Sequence, residues 1–85
     1  MTTIPRIQTI QPLADFQLSV LFDDGRRVLY DVKDDINTLE EFKNLELIAG
    51  LWNHVQLDKS RTVAYWNDRI DLPSDVLYKY GVSIA

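Results

Sequence analysis

Phe16-Gln17-Leu18-Ser19-Val20-Leu21-Phe22-Asp23-Asp24-Gly25-Arg26-Arg27-Val28-Leu29-Tyr30-Asp31-Val32 is the stretch whose reading decides the fold. Phe16, Leu18, Val20 and Phe22 alternate with Gln17, Ser19 and Leu21, and Val28, Tyr30 and Val32 alternate with Arg27, Leu29 and Asp31. That period of two is a strand with one better-buried face, given twice around a turn. Face matching sets the turn length. A two-residue Asp24-Gly25 loop pairs Phe22 with Arg27 and Leu18 with Asp31, setting apolar against charged. A three-residue Asp23-Asp24-Gly25 loop pairs Phe22 with Arg26, Val20 with Val28, Leu18 with Tyr30 and Phe16 with Val32, and places Gly25 at the left-handed position of a type I turn plus bulge. The three-residue loop is the expectation.

Upstream, Ile4 to Leu13 reads as a strand with a defect. Ile7 and Ile10 have opposite parity, so either a bulge intervenes or both faces are covered, and Pro5 and Pro12 favour a strand end or edge. Downstream, Asp34-Asp35-Ile36-Asn37 reads as a polar connector, with Thr38 and Glu41 as a capping box opening a helix that Gly50 stops. One straight helix over 38–52 fits poorly. Leu39, Phe42, Leu45 and Ala49 share a face, whereas Leu47 and Leu51 fall opposite, so a break is expected near Asn44. His54 to Leu57 and Thr62 to Trp66 form a second hairpin around Asp58-Lys59-Ser60-Arg61, with Val55, Leu57, Val63 and Tyr65 toward the core. Trp66 to Leu72 then leads into a short helix 74–80, capped by Ser74 behind Pro73 and ended at Gly81. The expected fold is a single α+β domain over 1–85: an antiparallel sheet of two hairpins plus an N-terminal strand, with the broken helix 38–52 and the short helix on one side.

The totals bound the function. A chain of 85 residues buries only roughly 60–65% of its unfolded surface; at 46% hydrophobic with nine aromatics it supports a core without staples. Cysteine is absent, which removes disulfide frameworks and thiolate metal sites and fits a reducing compartment. The N-terminus lacks a signal-length apolar run and no stretch is long enough to span a membrane, so a cytoplasmic setting with no membrane partner is expected. A net charge of −4, with nine Lys and Arg scattered among thirteen acids, opposes nucleic-acid binding by this chain.

Several of these residues together resemble a family. Phe22-Asp23-Asp24-Gly25 before a strand ending Tyr30-Asp31-Val32, then Val55-Gln56-Leu57-Asp58, then Trp66-Asn67-Asp68-Arg69-Ile70-Asp71-Leu72 followed by Leu77-Tyr78 and Gly81-Val82, is similar to the small bacterial domains of unknown function 2442. The likeness covers nearly the whole chain and keeps the spacing from Trp66 to Asp71. Asn67 stands where that family usually has proline and Arg69 where it usually has glycine, which bears on the turn if the glycine takes positive φ. The resemblance implies an α+β fold and a bacterial cytosolic setting, and no known activity. It also implies relatives with an appended helix-turn-helix domain and relatives encoded beside small toxin-like proteins; a chain ending at Ala85 is expected to have no room for such a DNA-binding domain.

Catalytic and ligand chemistry is sparsely signalled. His54, the only histidine, has Asp58 and Asp71 as conceivable partners with no spacing that demands either, and reads as a surface residue. Asp23-Asp24 and Asp34-Asp35 lack the alternating pattern of a calcium loop and read as turns. Gly25, Gly50 and Gly81 make no phosphate loop, and no serine sits in a nucleophile-elbow context. Trp52, Tyr65, Trp66, Tyr78 and Tyr80 read as core or as a protein interface, because a base-stacking platform needs a positive groove and the neighbours are acidic. Asp71 reads as a turn-fixing carboxylate. The expectation is a non-enzymatic protein-interaction module without cofactor or metal, antitoxin-like or accessory to a neighbouring small protein, or self-associating. Asp68, Arg69, Asp75, Tyr78 and Tyr80 are its candidate surface. The alternatives are a DNA-associated regulatory domain using Arg26, Arg27 and Lys33, and a small-ligand or metal binder using Asp68, Asp71 and His54.

Overall fold

The computed structural model describes residues 4–84. Strand β1 (Ile7–Leu13) is followed by a tight turn, β2 (Gln17–Phe22) and β3 (Arg27–Asp31). Next come helix α1 (Lys33–Thr38), a 3-10 turn (Glu40–Lys43), helix α2 (Asn44–Leu47) and a second 3-10 turn (Trp52–His54). The chain closes with β4 (Gln56–Leu57), β5 (Val63–Asn67), β6 (Ile70–Pro73), helix α3 (Ser74–Tyr80) and β7 (Val82–Ser83). The strands form two antiparallel sheets, one of four strands in the order β1-β2-β3-β7 and one of three in the order β4-β5-β6. The α+β architecture follows the periodicity, and the single expected sheet divides in two.

The first hairpin has the predicted register. Val20 lies opposite Val28 and Leu18 opposite Tyr30. The Phe22 amide donates to the Arg26 carbonyl at 2.9 Å, and Gly25 takes φ +91 at the end of the three-residue loop. Of the set that the alternation selects, Leu18, Val20, Phe22, Val28 and Val32 are fully buried, while Phe16 and Tyr30 are partly buried against the core. The parity conflict in β1 is resolved by a bulge between Ile7 and Thr9, so that Ile7 is fully buried and Ile10 packs at the core margin. Phe16 departs from expectation: Asp15 and Phe16 make the β1–β2 turn in the left-handed region, at φ 62 and 55. Such a conformation costs roughly 1–2 kcal/mol per L-residue. It sets the Phe16 ring edge-on to Trp52 at 5.2 Å, and the Val32 amide still donates to the Phe16 carbonyl at 2.9 Å.

The helical region is broken as expected but not near Asn44, and it starts earlier: Lys43 and Asn44 keep helical backbone where the 3-10 turn runs into α2, and the interruptions are the extended residues Leu39 and Ile48. The predicted connector Asp34–Asn37 lies inside α1, and Thr38 ends that helix with its hydroxyl donating back to the Asp34 carbonyl at 2.8 Å. Acids near a helix start are favoured by the helix dipole, which lets this polar run fold as helix with only Ile36 buried. Phe42 and Leu45 go into the core, while Leu39, Leu47 and Ile48 stay exposed. Gly50 has φ +82 and lies in the turn after α2 rather than at its end.

The second sheet corrects the reading most. Gln56 pairs with Tyr65 and Leu57 with Ala64, so the expected hairpin exists. Its core face carries Ala64 and Trp66, however, while Val63 and Tyr65 are half-buried. Trp66 has far more apolar area to bury than Val63, and the strand turns that face inward. The indole N–H of Trp66 donates to the Trp52 carbonyl at 3.0 Å, its ring stacks on Trp52 at 5.6 Å, and the Trp52 indole donates to the Leu13 carbonyl at 2.9 Å. These bonds allow two large polar-tipped rings to join the sheets without orphaned donors. The stretch after Trp66, read as a connection, contains strand β6, with Ala64 opposite Leu72 and Asn67 opposite Ile70. Ile70 and Leu72 enter the core as Asp71 points out, the alternation of a strand too short to stand out. Together the two sheets, Ile36, Phe42, Leu45 and Leu77 enclose one hydrophobic core.

Helix α3 spans 74–80 as predicted, and its amide ladder ends with Gly81 donating to Leu77 at 3.0 Å. Ser74 does not cap it. Its hydroxyl is fully buried without a hydrogen-bond partner, and its amide donates instead to the Thr62 carbonyl at 2.7 Å, tying the helix start to the β4–β5 loop.

Candidate functional site

The β4–β5 loop is shaped by Asp58. Its Oδ1 accepts the Thr62 and Val63 amides at 3.0 and 3.1 Å, and its Oδ2 accepts the Ser60 hydroxyl at 2.7 Å. These bonds, the Ser60 hydroxyl first, hold the Asp58 carboxyl below its usual range. The loop puts Arg61 at φ 60 and aims its guanidinium at the first hairpin turn. Nη1 and Nη2 donate to the two Asp23 oxygens at 2.7 and 2.9 Å, and Nη1 also reaches the Ile7 carbonyl at 3.2 Å. The bond to Arg61 lowers the Asp23 pKa and raises that of the guanidinium. Both partners are over a third exposed, so the pair fixes geometry more than it adds stability.

A second set of contacts fixes α3 to the same turn. The Tyr78 hydroxyl donates to Asp24 Oδ2 at 2.7 Å, while Asp24 Oδ1 accepts the Arg26 amide at 2.9 Å. The Arg26 guanidinium lies 4.7 Å from the Tyr78 ring centroid and donates to the Tyr78 carbonyl at 3.1 Å. Phe22 meets the same ring edge-on at 4.9 Å. The Arg26 amide first and the Tyr78 hydroxyl second hold the Asp24 carboxyl below its usual range, and the Asp24 bond raises the Tyr78 phenol. Tyr78 therefore stays a protonated donor at neutral pH, and Asp24 stays an ionised acceptor.

These two clamps frame a groove of about 1450 Å³. One wall is the N-terminal segment Ile4, Pro5 and Arg6; its floor and ends are Phe22, Asp23, Asp24, Ser60 and Thr62; the other wall is α3, with Asp75, Val76, Tyr78, Lys79 and Tyr80. Ile4 and Tyr80, each 64% exposed, contribute apolar surface to its lining. Asp75 bonds its neighbour's amide, Val76, at 3.0 Å, and the Lys79 ammonium lies 5.3 Å from the Tyr80 ring. The arrangement offers a recess with apolar walls between charged rims of both signs.

Of the five residues predicted as a contact surface, Asp75, Tyr78 and Tyr80 line this groove. Asp68 and Arg69 lie elsewhere, in the β5–β6 turn, both exposed. Asn67 rather than Asp71 fixes that turn, its Oδ1 accepting the Arg69 and Ile70 amides at 2.9 and 3.0 Å. Arg69 is not in the positive-φ region, so no glycine is needed there. His54, Asp68 and Asp71 fall on three different elements, and among the described residues no group of three His, Cys, Asp or Glu is placed to hold a metal ion. Arg26, Arg27 and Lys33 do not make one free basic face, since Arg26 is spent on Tyr78 and Lys33 pairs with Asp31 at 3.2 Å. The lining residues absent from the predicted surface are Ile4–Arg6, Phe22–Asp24, Ser60, Thr62, Val76 and Lys79, together with Arg61 behind them. The groove joins segments far apart in the chain, and no local pattern marks it; the legible part was Asp75, Tyr78 and Tyr80 on the closing helix.

The two-sheet frame with its short helices defines a small α+β domain. A family model described as "Protein of unknown function (DUF2442)" matches residues 7–83, and the chain belongs to that family. No curated protein and no solved structure matches it. No helix among the described residues is long and apolar enough to cross a membrane.

Proposed function

We propose that the domain is a non-enzymatic protein-interaction module, and that the groove between the N-terminal segment and α3 receives a segment of a partner protein. The observation that carries this is the clamped recess itself. Ile4, Pro5, Val76 and Tyr80 present apolar surface, while Asp23 and Asp24 are held ionised by Arg61 and Arg26 at its base. Interfaces draw on aromatic and apolar anchors in a pre-formed recess with a polar rim. Rim charges of both signs orient encounter more than they add affinity. An antitoxin-like or accessory role beside a small neighbouring protein, in a bacterial cytoplasm, fits this surface; that role is an inference by family likeness. The dispersal of Arg26, Arg27 and Lys33 favours a protein over DNA as partner.

The test is co-expression with the product of each adjacent reading frame, followed by native mass measurement. A stoichiometric heteromer is expected, lost in Val76→Lys and kept in Asp68→Lys, since Asp68 lies outside the groove. A heteromer lost with Asp68→Lys and kept with Val76→Lys would move the site to the β5–β6 turn. No heteromer with any neighbour would refute the accessory role.

A further inference from the structure

The two sheets have four edges, β1 and β7 in the larger, β4 and β6 in the smaller. Three carry features that discourage strand addition. Edge β1 contains Pro12 and a bulge, and its last carbonyl, Leu13, is taken by the Trp52 indole. Edge β6 ends in Pro73, and β4, as short as β7, is closed in between a 3-10 turn and the Asp58 loop. Edge β7 is different. Val82-Ser83-Ile84 holds neither proline nor charge, and all three residues are exposed.

Its hydrogen-bond phase can be read from the register. Val82 lies opposite Leu29 and Ser83 opposite Val28, and the Ile84 amide donates to the Arg27 carbonyl at 2.9 Å. In an antiparallel ladder, bonded and non-bonded pairs alternate. Val82 and the Ile84 amide therefore face β3, while the Ser83 N–H and C=O point to the free edge. Among the described residues neither group has a partner across that edge.

This edge is complementary to itself. We propose that β7 is a self-association edge, where two copies pair β7 with β7 antiparallel about a two-fold axis at Ser83 and merge their four-stranded sheets into one of eight. In that pairing each Ser83 donates to and accepts from the Ser83 of the second copy, which satisfies the outward groups on both chains. Val82 faces Ile84 across the axis, so two side chains exposed at 68% and 38% cover each other. A two-fold pairing repeats the same patch on both chains, so no other partner has to be supplied. The edge is separate from the groove, whose lining does not include residues 82–84.

The chain has no cysteine, which makes cross-linking decisive. Directly paired residues at this position have Cα atoms about 5.5 Å apart, within the disulfide range of roughly 4.4–6.8 Å. Under mild oxidation Ser83→Cys is expected to convert to a covalent dimer at least tenfold faster than Asp68→Cys, an exposed turn position. In parallel, sedimentation equilibrium should show a concentration-dependent doubling of mass. That doubling should be lost in Ser83→Pro, which removes the outward amide and leaves the bonds of Val82 and Ile84 to β3 in place, and in Val82→Lys, and retained in Val76→Lys in the groove. Circular dichroism of each variant checks that it is folded. Equal cross-linking at 83 and 68, or a monomer mass across the whole soluble range, would overturn the pairing. So would a folded Ser83→Pro that dimerises like the parent.

Discussion

Replacing Gly81 by alanine sets two effects of opposite sign against each other. Gly81 has φ −68 and ψ 148, ordinary extended backbone that alanine adopts freely. On backbone grounds alone the substitution stabilises by about 0.4–1 kcal/mol, through the loss of unfolded-state freedom. The space says otherwise. A Cβ at this position would lie 2.6 Å from the Leu77 carbonyl oxygen and 2.7 and 2.8 Å from Val28 Cγ2 and Cβ. None of these is the end of a flexible side chain: one is the carbonyl that accepts the Gly81 amide, and the others belong to a fully buried strand residue. Overpacking of this kind costs about 1–3 kcal/mol, and contact with backbone places it in the upper part of that range. The net expectation is a loss of roughly 1–2 kcal/mol, read as a fall in Tm of roughly 5–15 °C for a domain of this size. The assay is thermal unfolding followed by tryptophan fluorescence and far-UV circular dichroism, at one fixed protein concentration because any association shifts Tm. Gly25→Ala and Gly50→Ala are useful companions, since each has open space but positive φ, and isolates the backbone cost. A Gly81→Ala protein that melts at or above the parent would refute the close approach of α3 to β3.

Three other outcomes follow from single side chains. Ser74→Ala should leave stability unchanged or raise it by about 1 kcal/mol, because it removes a buried hydroxyl without a partner; a loss of about 1 kcal/mol in urea titration would instead reveal a helix cap. Arg69→Gly should cost up to about 1 kcal/mol through added unfolded-state freedom; a gain in Tm would show that the turn wants positive φ after all. The third is pH dependence. Asp23, Asp24 and Asp58 have carboxyl pKa values lowered below 3.8, so their contribution is present above that value and is lost as pH falls through the folded values. Tyr78 and Tyr30 are raised above 10.0, Tyr78 chiefly by its bond to Asp24 and Tyr30 chiefly by burial, so their contribution is present below pH 10 and is lost as pH rises beyond it. Equilibrium unfolding should thus weaken at both ends, with Tyr78→Phe flattening the alkaline limb; an unchanged alkaline limb in that variant would show that the Tyr78–Asp24 bond is not made in solution.

The first hairpin was legible because seventeen residues repeat one alternation, and only one loop length keeps Phe22, Val20 and Leu18 on a common face. The bulge in β1 was legible as one of two remedies for the opposite parities of Ile7 and Ile10, the other being cover on both faces, and the structure takes the bulge. Short elements gave less. Val63-Ala64-Tyr65-Trp66 is apolar at every position, so period alone could not choose its inner face; burial of Trp66 chose it. Ile70-Asp71-Leu72 is a single alternation hidden behind a turn, and α1 is a polar six-residue helix whose Asp34 and Asp35 also read as a connector. The candidate site was half-legible. Asp75, Tyr78 and Tyr80 stood out through their place on α3, whereas Arg61 gains its role only when a left-handed loop carries it to Asp23, thirty-eight residues away.

A partner segment, on the proposed function, enters the groove between Ile4–Arg6 and α3. The most direct measurement is amide hydrogen exchange on the isotopically labelled domain, free and with the co-purified partner. Slowed exchange should concentrate at the Ile4 and Arg6 amides, at residues 22–24 and at the groove-lining residues of α3, the walls and floor of the recess. Protection confined to the Asn67–Ile70 turn or to the exposed Leu47–Ile48 region, with the groove unaffected, would contradict it.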